Sequence, residues 1–289
     1  MKDLDFTAFD QVIGSWLFEQ VRLGRVEEEQ LVLALDGKSM RGSLREDGRA
    51  VHLLAAMVQR EGVVVAQEEV DEKSNEITAV RPLLADLDLE GALITADALH
   101  CQRDHAVYIV EEKRADYLLQ VKANQPKLLA ALQAIPAEKF SAEVEETSRG
   151  HGRIEHRYVG AADVPEDVDF PHAAQVVLVY RERADLGDVM TSSETSYYIT
   201  SASSKKAGAD RLGPHVREHW GIEALHWVRD WTFDEDRHQH RAARSPARAL
   251  ATMRNLTISL LHLAGAKNIA AATRWVSRDA TRAAALLGV

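Results

Sequence analysis

The chain has 289 residues, 46% hydrophobic, 28% charged and 6% aromatic, with a formal net charge of −10. That composition excludes a disordered, collagen-like or coiled-coil chain, and the length allows one large domain or two small ones. The single cysteine, Cys101, excludes an intrachain disulfide. The N-terminus lacks the basic-then-apolar order of a signal peptide, and the longest strongly apolar stretch, 256–266, is too short to span a bilayer. The expectation is a cytoplasmic chain with no membrane partner.

Residues 1–30 have helical character. LVLALDG (31–37) is an apolar run ending in Asp and Gly, predicted as a buried strand, and the polar stretch 37–50 that follows is predicted as a loop. The runs 51–58 and 62–70, three residues apart, predict strand, tight turn and strand. Ser74 or Asn75 is placed to cap a helix reaching about Leu87. ALITAD (92–97) is a further strand ending on Asp, 100–114 a helix, and 115–122 another strand. The order predicts a mixed α/β sheet. From Gln125 to about Ser201 three runs, 153–164, 174–183 and 195–201, have strand character and suggest a β-rich insertion. Three helices are predicted after it: one carrying 215–231, one from Pro246 capped by Ser245, and one over 269–287. The working division is 1–30, a first part of the core over 31–124, the insertion over 125–205, and a helical part with a basic tail over 206–289.

Charge is unevenly spread. From Arg237 to Val289 there are nine Arg or Lys and one acid, a net +8, so the rest carries −18. A basic tail on an acidic body suits a polyanion partner acting at a carboxylate-rich site. An ordinary solvated helical surface is the alternative. Arg274, Arg278 and Arg282 follow at four-residue steps, which predicts one face of the last helix, suited to gripping a polyanion.

Asp36 and Asp97 each close an apolar run. A carboxylate there is costly unless it is hydrogen-bonded, paired or bound to metal. Either alone can be a loop cap. Two on neighbouring strands can form a divalent-cation site of hard oxygen ligands. In 214–231, helical spacing places His219, Glu223, His226, Trp227 and Asp230 on one face, with Trp220 beside them. Two Glu-x-x-His matches, starting at Glu223 and Glu235, lie too close together for a di-iron bundle, and His238-x-His240 has no cysteine pair to make a zinc site. No Gly-x-Ser-x-Gly elbow and no phosphate-cradling glycine loop is present. Lys38, Arg41 and Lys122 adjoin strand ends and are candidate phosphate contacts.

Taken together, ALDGKSMRGS (34–43), ITADALHCQ (94–102), LLQVKANQPKL (118–128), SRGHGRIEHR (148–157), SYYITS (196–201) and HWGIEALHWVRDWTFDEDR (219–237) resemble insertion-sequence transposases of the H-repeat-associated group. These sit within the broad bacterial class with a DDE catalytic triad and an RNase H-like fold. The pieces occur in the family's order over roughly residues 30 to 260, and the last is the most specific. The resemblance implies Asp36, Asp97 and Glu223 as catalytic residues and ligands of two Mg²⁺ ions, with Mn²⁺ as substitute. It implies metal-dependent cleavage at element ends and strand transfer into target DNA. Double-stranded DNA is the implied partner, bound by a homodimer. A DNA-binding remnant and a stand-alone metal-dependent nuclease are the alternatives. Some members of the wider class carry Tyr, Arg and Lys seven before, four before and seven after the glutamate. Here those positions hold Val216, His219 and Asp230, with Arg217 and His219 as expected substitutes. Members also have a longer helical region before the first catalytic strand, which implies a truncated copy or a late start codon.

Overall fold

The computed structural model describes residues 5–26, 30–44, 50–70, 75–150, 152–237 and 244–288, with all their side chains but those at 44, 141–143 and 244–246. The chain divides into two compact units, one of residues 1–88 and 220–289, the other of residues 89–219. Both are α/β.

The first unit is built on three antiparallel strands in the order β3-β2-β1: β1 (Val32–Leu44), β2 (Ala50–Val58) and β3 (Val63–Glu69). β1 runs straight through Asp36 and Gly37, where a loop from 37 was predicted. The ladder explains it, because the backbone from Leu33 to Met40 pairs residue by residue with β2 from Val58 to Val51. Met40 is also buried against Val51, Leu53, Ala247 and Ala251. Only 45–49 of the expected loop lie outside the described residues.

α1 (Phe6–Gly24) is capped by Asp5, whose carboxylate accepts from the backbone N–H of Thr7 and Ala8. It buries Asp10, Gly14, Leu17, Phe18 and Val21, one helical stripe. Gly14 sits where a Cβ would lie 2.3 Å from the Val65 carbonyl oxygen, so only glycine lets α1 approach β3 this closely. α2 (Glu76–Leu84) is capped by Asn75, as the sequence predicts.

After these come α6 (Gly221–Thr232), α7 (Arg244–Leu263), α8 (Ile269–Val276) and α9 (Ala280–Leu287). Their apolar faces complete a core of Ala34, Ala55, Met57 and Val64 with Ile222, Leu225, Ile258, Leu261 and Ile269. α7 also closes the open edge of the sheet: the Val64 N–H donates to Ser259 Oγ at 3.1 Å. α7 begins at Arg244, one residue before the predicted cap at Ser245, whose side chain lies outside the description.

The second unit carries six strands in the order β4-β5-β9-β8-β7-β6. β4 (Leu93–Ala96) and β5 (Asp116–Val121) are parallel and nearly all buried. The others, β6 (Ser141–Gly150), β7 (Arg153–Asp163), β8 (Gln175–Ala184) and β9 (Met190–Thr200), pair antiparallel. The expected helix over 100–114 is a 3₁₀ turn at Ala98–His100, a short α3 (Arg103–Val107) and a π turn at Tyr108–Glu112. α4 (Pro126–Gln133) follows β5, and α5 (Ala209–Glu218) closes the unit. The order of a three-stranded meander, a helix, a strand, a helix and a strand is the one an RNase H-like fold requires.

Candidate active site

Strand periodicity puts Ala34, Asp36 and Lys38 on one face of β1. Helix periodicity puts Ile222, His226 and Asp230 on one stripe of α6. The two rows match in pitch, about 6 Å for four helical residues and about 6.6 Å for two strand residues. They meet rung by rung. Ala34 and Ile222 share the core cluster. His226 Nδ1 lies 3.3 Å from Asp36 Oδ2. Lys38 donates to both oxygens of Asp230 at 2.7 Å. The Asp36 carboxylate keeps 24% of its surface exposed, so it is held at the mouth of the row and not sealed in the core. Glu223 stands about one turn before His226, on the neighbouring exposed stripe of α6.

The far end of α6 is fixed by buried charge. Arg229 makes a two-pronged bond to Glu235, 2.9 Å on each arm, and donates to Asn255. Arg254 reaches the same Glu235 at 3.0 Å. Burial pushes the Glu235 carboxyl up, but Arg229 and Arg254 outweigh it and hold the group below its ordinary range. From Asn255 the bonds run on through Gln67 and Thr252 to Asp10 of α1, which Arg248 also holds. Glu235, the start of the second Glu-x-x-His match, is thus occupied by two guanidinium groups, and its partner His238 lies outside the described residues with His240.

In the second unit β4 ends at Ala96, and Asp97 caps the turn after it, Oδ1 accepting from the Leu99 N–H at 2.9 Å. Because β4 and β5 are parallel, Asp97 and the exposed Lys122 leave the sheet at the same edge, the carboxyl ends where ligands of α/β sheets bind. The loop after β5 braces the turn through Asn124, which donates to the Ala98 carbonyl at 2.6 Å. Thr95, two residues before Asp97 on the same side of β4, bonds His219 Nδ1 at 2.9 Å.

Several predicted site residues sit differently from their expectation. The helix predicted over 215–231 is two, α5 and α6, broken at His219–Trp220. His219 therefore belongs to the turn and not to the Glu223 face. Gly221 opens α6 where an added Cβ would crowd Met57 at 3.3 Å. Arg217 pairs with Glu146 of β6 at 3.1 Å, both well exposed. Lys38 is 8% exposed and committed to Asp230. Arg41 is 84% exposed, its backbone N–H bound to Asp236. The helix predicted over 269–287 is also two, because Asp279 turns the chain and caps α9 by accepting from the Thr281 N–H. Arg274 thus lies on α8, Arg278 in the turn and Arg282 on α9, not on one face. Arg282 is stacked over Trp275, 4.0 Å from the ring centre, and donates to that residue's carbonyl.

Asp36, Asp97 and Glu223 are hard oxygen donors, the chemistry that Mg²⁺ or Mn²⁺ selects. Each is at least partly exposed. Among the described residues, no group of three or more His, Cys, Asp and Glu is already gathered as a metal cage. Water and substrate oxygens would complete the shell, as Mg²⁺ prefers.

The sequence profile of the family described as "Transposase DDE domain" matches residues 27–260. The chain is 35% identical over 280 residues to "Putative transposase YncI" of Escherichia coli O157:H7, covering 90% of this chain and 68% of the relative. It is 31% identical to "H repeat-associated putative transposase YhhI" of E. coli K12, covering 81% of this chain and 65% of the relative. The chain therefore spans about two thirds of the length of these curated relatives. A piggyBac transposase in a synaptic complex with hairpin DNA superposes with a TM-score of 0.48 and 9% identity over 92% of this chain and 55% of that one, a slight likeness.

Proposed function

Because the chain belongs to the DDE transposase family, we propose that Asp36, Asp97 and Glu223 are its catalytic carboxylates, cleaving DNA at element ends and joining the freed 3′ end to target DNA. The observation that carries this reading is the seating of α6 on β1, which brings His226 to Asp36 with Glu223 one turn away. The chain adds a tether. His219 is bonded to Thr95, two residues from Asp97, and Glu223 follows only four residues later, a span of at most about 14 Å.

The three carboxylates would hold the divalent ions. When bound, those ions activate the attacking oxygen and neutralise charge on the leaving 3′-oxygen. The chain's own part is placement. The Lys38–Asp230 pair sets the height of β1 against α6, and so the position of Asp36 relative to Glu223. The Asp97 turn is held from both sides by Asn124 and by its own bond to Leu99. Lys122 and Arg41, both exposed, are placed to meet phosphate.

The test is a nicking and strand-transfer assay on DNA carrying the element's ends. With Mg²⁺ the parent protein gives nicked and joined products. Asp97→Asn and Glu223→Gln lower the rate by at least about a hundredfold while the folded state persists. Cleavage by Asp97→Asn at the parent rate would remove Asp97 from the site. Nicked products that are never joined to target would favour a stand-alone nuclease.

A further inference from the structure

Glu223, Trp227 and Trp231 follow at four-residue steps on α6 and share one exposed stripe. Trp227 is 59% exposed and Trp231 68%, although indole is among the costliest groups to leave in water. Their rings lie side by side, centres 5.8 Å apart and planes tilted by 31°, so they form one continuous aromatic surface. Trp220, half-exposed, stands at the start of the same helix. None of these indoles belongs to the core that α6 makes through Ile222 and Leu225.

We propose that Trp227 and Trp231 are a stacking platform for unpaired DNA bases beside the Glu223 carboxylate. The inference rests on the DNA-cleaving reading above. Size favours bases over a protein partner. Two indoles exposed to this degree offer roughly 200–300 Å², whereas a stable protein interface takes about 800 Å² from each side. Charged groups stand at both ends of the stripe, Glu223 before Trp227 and Asp234 after Trp231. Guanidinium groups stand at the same end of α6. Arg237 is 81% and Arg41 84% exposed, and Arg41 is tied to this loop through Asp236. Aromatic faces with neighbouring arginines are how proteins hold single strands without reading sequence. The spacing suits the chemistry. Trp227 lies about 6 Å along the helix from Glu223, close to one nucleotide step. A base lifted from the duplex onto Trp227 would leave its own phosphate near the carboxylate.

The experiment compares two labelled duplexes of one sequence, one blunt and one ending in two unpaired nucleotides, by fluorescence anisotropy. The parent protein should bind the unpaired end more tightly. Each of Trp227→Ala and Trp231→Ala should reduce that preference roughly tenfold, with Trp227→Tyr retaining most of it. Stacking is uncharged, so the preference should persist from low to high salt while both affinities fall. Circular dichroism confirms that the variants fold, as expected for exposed positions. Equal binding of both duplexes by the parent protein, while it still cleaves them, would overturn the platform alone. An unchanged preference in both alanine variants would overturn it as well, as would their loss of a self-association present in the parent. A parent protein that binds neither duplex would overturn both this inference and the reading beneath it.

Discussion

At the scale of single residues, Glu235 is the side chain whose removal should cost most. It is fully buried between Arg229 and Arg254. Arg229→Met removes the two-pronged bond and leaves the buried carboxylate to Arg254 alone, which should lower stability by about 3 kcal/mol in urea unfolding. Replacing both, Arg229→Met with Glu235→Leu, should recover only part of the loss, since Arg254, 11% exposed, then loses its carboxylate. The pH dependence follows from the same contacts. The folded Glu235 carboxyl titrates below its ordinary 4.5, so its stabilisation is full above that value and is lost as pH falls through the lower, folded one. The urea midpoint should therefore decline below about pH 4.5, and less steeply in Glu235→Gln. Nothing in the one-dimensional pattern singles out Glu235 from Asp234 and Asp236. Only the fold shows that it alone of the three is buried.

At the scale of elements, two glycines set how closely layers approach. Gly14→Ala would push α1 off the Val65 carbonyl and should destabilise the protein by about 1–3 kcal/mol. Gly37→Ala would place a methyl 2.4 Å from the Glu76 carboxylate, which is bonded to His52. The variant should lose that bond, visible as displaced His52 ring resonances by NMR. Which elements the sequence makes legible follows from their burial. The strands of Asp36 and Asp97 are apolar because they are buried, so they stand out. β6 does not, since SAEVEETSRG is polar at nearly every position. The breaks at 219–220 and 277–279 are equally silent: both turns keep right-handed helical backbone at His219, Trp220 and Ser277, so the periodicity carries across them. That is why His219 is drawn onto the Glu223 face and Arg282 onto a face with Arg274. The Asp36–His226 and Lys38–Asp230 rungs need the pairing of β1 with α6, a contact between residues nearly two hundred positions apart.

At the scale of the whole molecule, the basic C-terminal segment is a charge reservoir with unequal members. Arg274 and Arg278 are exposed, but Arg282 is engaged by Trp275 and Asp279. On the DNA-binding reading, Arg274→Gln with Arg278→Gln should flatten the salt dependence of DNA affinity by up to about two units of slope. Arg282→Gln should change the slope little and instead lower the thermal midpoint by loosening the corner between α8 and α9. Titrating affinity against salt for each variant checks both.

The first unit is assembled from residues 1–88 and 220–289, so one part of it is synthesised before the second unit and the other part after it. Ala34, Met57 and Val64 leave the ribosome before the second unit is made, and Ile258, Leu261 and Ile269, which cover them, only after it. At 5–20 residues per second, that sheet face waits on the order of 10–40 s for its lid. During translation the protein is thus an uncovered apolar sheet for far longer than the microseconds a chain of this size needs to collapse. Nascent chains arrested before residue 258 should engage holding chaperones, and chains released after α8 should not.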